Sequence, residues 1–490
     1  MRSTLLLSFL LLGACTVGPD YKGPPAVGAG AAGKGHFVRG QEAVAPAPAV
    51  ARWWETLGDA TLNRLVDDAL AQSPTIAAAE ARIRQAQAQA RQQRANRAPS
   101  LSANGTYLRA QLPGIDLGES EAGSAGNGTG SATNGLDFYN LGLNASWEPD
   151  LVGGLRRGVE QSQAAVGQRY ADLADAQVSL SAQVAQAYVN YRDVQDRIRL
   201  NAQSASLQRQ GLALMQQRFA AGTVSALQVE RLKTDLESTD AQAIPLTAQA
   251  DEYRDVLALL TGRTPGTLDA TLATPVAVPL PPAMVAVGDP GTLIANRPDI
   301  RAAERALAAS TAAIGVNEAK RYPAIRFMGI LGLGGTSPGD VLDPGNLTTL
   351  LAPQISWSFL DFGRTAAAVR QSEAQRDEAE ANYRQTVLAA LQDAETSLSR
   401  FAATRRQLAR LVSAEQSASR AATLNRQRVE AGTSTMIDQL DIERQRLSAA
   451  MAVAQAKAQL TNSFVAVNKA LGLGWTPQTP AGEAPPSTGG

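Results

Sequence analysis

Leu141-Gly142-Leu143-Asn144-Ala145-Ser146-Trp147 carries apolar side chains on its odd positions and small or polar ones on its even positions. A period of two marks an extended strand with one apolar and one polar face. The pattern returns in Leu351–Phe359, where Leu351, Pro353, Ile355, Trp357 and Phe359 share one face and Gln354, Ser356 and Ser358 the other. It returns in Leu101–Tyr107, with Ser102, Asn104 and Thr106 as the polar set. Ile325–Leu333 is less regular, because Met328 and Ile330 fall on the second face. Strands are therefore predicted near 101–109, 136–147, 325–334 and 350–360. Strands of about 10 residues that end in aromatics suit a transmembrane barrel with a wet interior. They would also suit a half-buried sheet in a soluble protein.

Between these segments the period changes to that of a helix. Thr61–Arg97 is rich in Ala, Gln and Arg, with few breakers. Longer helical runs cover about 159–220 and 364–430, and shorter ones about 224–261, 296–321 and 434–471. A helix of roughly 60 residues is about 90 Å long, so it must pack side by side with others along its length. Tyr170, Gln177, Val184, Tyr191 and Ile198 recur every seven residues, as do Val166, Leu173, Leu180, Ala187 and Val194. That is a heptad-like seam. Pro245 is expected to kink or interrupt its helix.

The chain also repeats itself. Ser73-Pro74-Thr75-Ile76-Ala77-Ala78-Ala79-Glu80 is echoed by Arg297-Pro298-Asp299-Ile300-Arg301-Ala302-Ala303-Glu304. Arg218-Phe219-Ala220-Ala221-Gly222-Thr223 is echoed by Arg428-Val429-Glu430-Ala431-Gly432-Thr433. Each half reads helix, strand, strand, long helix, Gly-Thr turn, helix. Two halves give about four strands, too few to close a membrane barrel, which needs about eight. Open strand edges cannot stand in lipid. If the strands cross a membrane, several chains must share one barrel.

The N-terminus has the form of an export signal. Arg2 is followed by the apolar stretch Leu5–Leu12, too short to span a bilayer permanently. It ends in Leu12-Gly13-Ala14-Cys15, which resembles a bacterial lipobox. Residues 1–14 are read as signal peptide, with Cys15, the single cysteine of the chain, as the lipid attachment point. The resemblance implies a diacylglyceryl thioether and an acylated amine on Cys15. Thr16 in the next position favours the outer membrane by the usual sorting pattern of such lipoproteins. Residues 15–52 read as an extended lipidated tether, of which 17–50 are rich in Gly, Pro and Ala and show no period.

Composition removes several classes. Lys+Arg 45 against Asp+Glu 45 gives a formal net charge of +0, so nothing calls for nucleic acid. One His and one Cys argue against a zinc site or a Cys/His nucleophile pair. No cofactor, metal site or catalytic constellation is expected beyond the covalent lipid, and the chain reads as no enzyme. Gly28–Lys34 matches a phosphate-loop spacing, but Gly35 stands where Ser or Thr is needed.

Several stretches together carry a family resemblance. They are Cys15-Thr16-Val17-Gly18-Pro19-Asp20-Tyr21, Trp53-Trp54 with Leu57 and Leu62, and Asn296–Glu304. Trp357-Ser358-Phe359-Leu360-Asp361-Phe362-Gly363-Arg364 and Ala431-Gly432-Thr433 complete the set. The chain resembles the TolC-like outer-membrane efflux family, in its NodT-type (OprM-like) lipoprotein branch, from Cys15 to about Leu473. The resemblance implies a mainly α fold with a small β part. It also implies a homotrimer whose 12-stranded β-barrel takes four strands per chain and continues as a periplasmic α-helical barrel. The halves become two outer-membrane-efflux repeats, 53–262 and 292–473, joined by a linker at 263–291 and followed by a flexible tail at 474–490.

The resemblance further implies a gate in the turn Gly432–Asp441, where Asp438 and Asp441 fall on the family's two gate aspartates. As i and i+3 they share a helix face. In a trimer they would form acidic rings that attract cations. Read without the family, they are acidic residues favoured at a helix N-terminus. Ser434 stands where some members have a gate-closing arginine, and Gln228 where many have an aspartate. Glu230 and Arg231 are nearby substitutes, and Gly222 and Gly432 are the turn glycines. The implied partners are a periplasmic adaptor (membrane fusion) protein, an inner-membrane resistance-nodulation-division pump and outer-membrane lipid. The implied role is an exit duct for drugs or other small solutes. Two readings stay open beside it: a channel for type I protein secretion, and a non-transporting lipid-anchored coiled-coil scaffold.

Overall fold

A computed structural model of the chain describes residues 16–39, 44–45, 50–111 and 135–475. The signal peptide, Cys15 and nearly all of the tail lie outside the described residues. The chain is mainly helical, with eight principal helices among the described residues. They are α1 (Ala60–Gln72), α2 (Pro74–Ala95), α3 (Gly154–Ala220), α4 (Ala226–Leu260), α5 (Pro290–Asn296), α6 (Pro298–Ala319), α7 (Arg364–Glu430) and α8 (Met436–Ala470). Four strands form one sheet: β1 (Ser100–Gln111), β2 (Gly135–Trp147), β3 (Ala324–Gly335) and β4 (Leu347–Ser356).

The expected helix over Thr61–Arg97 is two helices. Asp59 caps α1 by accepting from the backbone N–H of Thr61 at 2.8 Å and Leu62 at 3.0 Å. The chain turns extended at Ser73 because Pro74 disfavours a helical residue before it, and Pro74 then opens α2. Arg297 and Pro298 divide α5 from α6 in the same way. Pro245 does not interrupt its helix: α4 runs through it, with Leu246 buried beside it.

The chain divides into two compact units. The first takes Met1–Gly23, Ala86–Val166 and Ala306–Ala379, and holds the sheet. The second takes Pro24–Gln85, Gly167–Arg305 and Glu380–Gly490. Its core gathers around Trp53 and Trp54, each 1% exposed, with Leu62, Val66, Val184, Leu257, Leu272 and Val465. The two indoles meet edge to face with centroids 5.7 Å apart, and Trp53 meets Phe464 likewise at 6.0 Å.

One motif of the family resemblance, Asn296–Glu304, acts in this packing beside a second tie. Arg297 donates to the Ala470 carbonyl at the end of α8 at 2.7 Å and to both oxygens of Asp299. Tyr188 donates to Asp59 at 2.7 Å, tying α3 to the cap of α1. Part of the tether is docked rather than loose. Phe37 is buried, and the backbone N–H groups of Val38 and Arg39 both donate to Glu395 at 2.8 Å. Within the stretch read as linker, Val285–Ala286 pairs in parallel with Val44–Ala45.

Candidate functional site: a two-faced sheet and two helix turns

The strand order is β1-β2-β3-β4, antiparallel throughout. Its register puts Leu101, Leu141, Leu143, Trp147, Phe327, Leu331, Leu333, Leu351 and Ile355 on one face. The other face carries Ser102, Asn104, Thr106, Asn140, Asn144, Ser146, Gln354 and Ser356, with Leu108, Phe138, Met328, Ile330 and Leu350 as large apolar exceptions. Leu101, Leu141, Leu331, Leu351 and Ile355 are all exposed. An apolar sheet face of this extent would aggregate in water, and its natural cover is lipid or other chains. On the polar face Gly142 lies across from Gly332, and a methyl group added to Gly142 would stand 2.9 Å from the Gly332 Cα. The close approach requires glycine on both strands.

The outer edges of β1 and β4 have no strand partner among the described residues. Aromatics mark the sheet end that joins the helices. Trp147 donates to the Arg97 carbonyl at 3.1 Å, and Trp357 to that of Arg321 at 3.0 Å. Each indole thus ties a strand end to the linker that enters its own hairpin. β4 ends at Ser356, earlier than the expected 360. The alternation through Trp357 and Phe359 continues past the last ladder bond, because the chain is already turning toward Gly363 and the start of α7.

The two Gly-Thr turns are built alike. Gly222 and Gly432 take φ of 71° and 73°, the left-handed conformation that ends a helix. Thr223 N–H donates to the Arg218 carbonyl at 2.9 Å, and Thr433 N–H to that of Arg428 at 2.8 Å. Past each turn a capping pair starts the next helix. Before α4, Ser225 N–H donates to Gln228 Oε1 at 3.2 Å. Before α8, the Thr435 hydroxyl donates to Asp438 Oδ2 at 2.7 Å, and Asp438 N–H donates back to Thr435 Oγ1 at 3.2 Å. Gln228 and Asp438 are therefore the same structural position, 210 residues apart in the sequence. Thr435 holds the Asp438 carboxyl below the ordinary carboxylate range by donating to it.

Behind the second turn lies a buried polar chain between α7 and α8. Ser434 donates to Asn425 at 2.8 Å, and Asn425 donates to Gln439 at 2.8 Å. Gln439 donates to Glu443 at 3.3 Å. Arg426 and Arg446 donate to the two Glu443 oxygens at 2.9 and 2.7 Å. Burial alone would raise the Glu443 pKa, but the two guanidiniums, Arg446 foremost, bring it below its ordinary value. Behind the first turn the matching positions are Met215, Val224, Val229 and Lys233, and Met215 is fully buried.

The sequence-derived gate residues separate by role. Asp438 is exposed and engaged in the cap; Asp441, also exposed, lies 3.4 Å from Arg444, which reaches Asp235 of α4 at 3.5 Å. Ser434 belongs to the buried chain, not to the acidic face. Glu230 and Arg231 are exposed on the second turn of α4, and their side chains take no part in these bonds. Cys15 lies outside the described residues. Sequence reasoning missed Asn425, Gln439, Glu443 and Arg444. Aligning the two turns at Gly222 and Gly432 would have exposed the first three as polar residues facing apolar or basic counterparts.

Comparison with known proteins places this architecture. Residues 65–263 and 290–473 match the outer membrane efflux protein family. The chain is 31% identical over 483 residues to outer membrane protein OprJ of Pseudomonas aeruginosa, covering 96% of this chain and 95% of that protein. It is 29% identical over 483 residues to nodulation protein T of Rhizobium leguminosarum bv. trifolii, covering 98% and 99%. Among solved structures, the outer-membrane channel OprN matches with a TM-score of 0.83 at 33% identity, over 94% of this chain and 100% of that one. The open state of the Neisseria gonorrhoeae MtrE channel matches at 0.77 and 26% identity, over 94% and 98%.

Proposed function

The chain belongs to the outer membrane efflux protein family, and from that premise we propose that three copies join their four-stranded sheets into one barrel. It is an outer-membrane efflux channel of a Gram-negative bacterium. The observation that carries the trimer is the sheet: one face apolar and exposed, and both edges unpaired. Joining β4 of one copy to β1 of the next would satisfy every edge, turn the apolar face to lipid and line the lumen with Ser, Asn and Gln. The matching element lengths of the two halves, 67 residues in α3 and α7 and 35 in α4 and α8, support reading them as repeats. In the trimer these helices would form the periplasmic α-barrel.

The duct is passive. An inner-membrane pump of the resistance-nodulation-division type supplies the energy, and a periplasmic adaptor joins it to this subunit. Drugs or other small solutes leave through the lumen. Cys15 carries the covalent lipid, which adds a membrane hold to that of the sheet. Asp438 and Asp441 line the gate, where three copies of each would favour cations over anions.

The test is conductance of the purified, full-length protein in planar bilayers. Discrete channel steps are expected, and a water-soluble monomer that opens no pore overturns the reading. Asp438→Ala with Asp441→Ala should raise or reshape basal conductance and weaken cation block. Unchanged conductance and cation response remove the gate assignment and leave the duct.

A further inference from the structure

Arg157, in the first turn of α3, is 4% exposed and spends its donors on the N-terminal segment that precedes the helical body. Its Nε donates to the Val17 carbonyl at 3.1 Å. Its Nη2 reaches the Gly18 carbonyl at 3.2 Å and the Asp20 carboxylate at 2.6 Å, and its Nη1 reaches Glu160 at 2.7 Å. Val17 N–H donates in turn to the Val152 carbonyl at 3.1 Å. A guanidinium this buried is costly unless its donors are met, and here the strap meets three of them.

Shape complementarity points the same way. A methyl group added to Gly18, whose φ is 86°, would stand 2.5 Å from the Gly315 Cα. One added to Gly315 would stand 2.7 Å from Arg157 Cγ and 2.9 Å from the Val17 carbonyl oxygen. One added to Gly153 would stand 2.9 Å from the Thr16 Cα. Backbone therefore lies directly on backbone at three glycines. The helices involved belong to different halves of the sequence: α3 follows β2, and α6 precedes β3. Both contacts lie near the helix ends that feed the sheet, since Gly153 is six residues past Trp147 and Gly315 nine before Ala324.

We propose that Thr16–Asp20 is a strap, positioned by Arg157, that staples α3 to α6 at the foot of the sheet and transmits the hold of the lipid on Cys15 to that junction. The inference rests on the acylation of Cys15 proposed above. A leash needs only length, and glycine-rich segments supply it without fixed contacts. A strap with a buried arginine and three glycine seats transmits force at its point of attachment. The lipid then acts as a structural part of the assembled channel, not only as a tag for location.

The experiment uses the full-length protein in liposomes and a thermodynamic cycle of two changes. One is Asp20→Ala, which removes the charged anchor at the outer end of the strap while Arg157 keeps Glu160 and the Val17 and Gly18 carbonyls. The other is loss of the acyl chains, through Cys15→Ser behind a signal peptide of the ordinary secreted type. The expected result is that acylation raises the melting temperature of the sheet with Asp20 present, and that this rise is lost in Asp20→Ala. An equal rise in both backgrounds, or no rise in either, overturns the proposal. A nitroxide on Lys22→Cys reads the strap without reference to the lipid: ordered with Asp20, mobile in Asp20→Ala, and restored by Asp20→Glu. An ordered label in all three also overturns it. Mass spectrometry of the N-terminal peptide tests the premise independently, and a native protein found without acyl chains overturns the coupling while the label still reports the strap.

Discussion

The two Gly-Thr turns share their backbone bond for bond, yet they are stabilised by opposite chemistry. The first is backed by Met215, which is buried, with Val224 and Val229 beside it in the sequence pattern. The second is backed by Ser434, Asn425, Gln439 and Glu443 in one hydrogen-bonded chain, closed by Arg426 and Arg446. The fold fixes the glycine and the cap, while the filling between the paired helices is free to change. An apolar filling resists distortion through packing. A polar one holds a single geometry, because each donor left unmade costs about 1–3 kcal/mol.

The largest expected effect on this contrast is at Met215. Met215→Ala removes a fully buried side chain and should destabilise α3 near its turn by about 2–5 kcal/mol, read as faster amide exchange there with the second turn unaffected. Loss at both turns would show that they are not independent. Next is Glu443→Gln, which leaves two guanidiniums facing a neutral amide. We expect about 2 kcal/mol, discounted because Arg426 is 62% exposed, and confined to α7 and α8. Giving the second turn the filling of the first, with Asn425→Met, Ser434→Val and Gln439→Val together, should cost less than Asn425→Ala alone. The triple change removes both partners of each bond among these three, whereas the single one strands Ser434 and Gln439.

Smaller is the cap. Thr435→Ala should cost about 1 kcal/mol and Ser225→Ala a similar amount, each seen at its own turn. The smallest effect is on pH. Asp438 has its pKa depressed below 3.8, so its contribution is complete above that value and fades as pH falls through the lowered pKa. Gln228 in the matching place does not titrate. Spin labels on Ala431→Cys and Ala221→Cys should therefore diverge on acidification below about pH 4, with only the first gaining mobility. Asp438→Asn sharpens the gate question, since it keeps a capping side chain and removes the charge. Altered cation response with an unchanged label spectrum favours the gate, and the reverse favours the cap alone.

The helices were legible where the stop signals were strong. The run read as 364–430 is α7 to the residue, because Gly363 and Gly432 bracket an uninterrupted stretch of good helix formers. The strand faces were legible from alternation, with Met328 and Ile330 as the exceptions it marked and Leu108, Phe138 and Leu350 as exceptions it did not. The break at Ser73 was missed because composition on both sides is equally helical, and only the following proline announces it. The chain from Ser434 to Glu443 was not legible, since Asn, Gln and Glu on a long helix look like ordinary solvated positions until a second helix covers them. Arg157 was hidden for the same reason: its partners lie 137 to 140 residues away.

The equal spans of α3 and α7, and of α4 and α8, limit how this protein can change length. One residue inserted in any of them would turn everything beyond it by about 100° and carry the packed stripe away from its neighbour. Insertions inside the rods must therefore come in compensating sets or be rejected. Growth and shrinkage during descent are left to the segments between strands and to the chain ends, and a designer who wants a longer duct must lengthen all four rods together, by whole heptads.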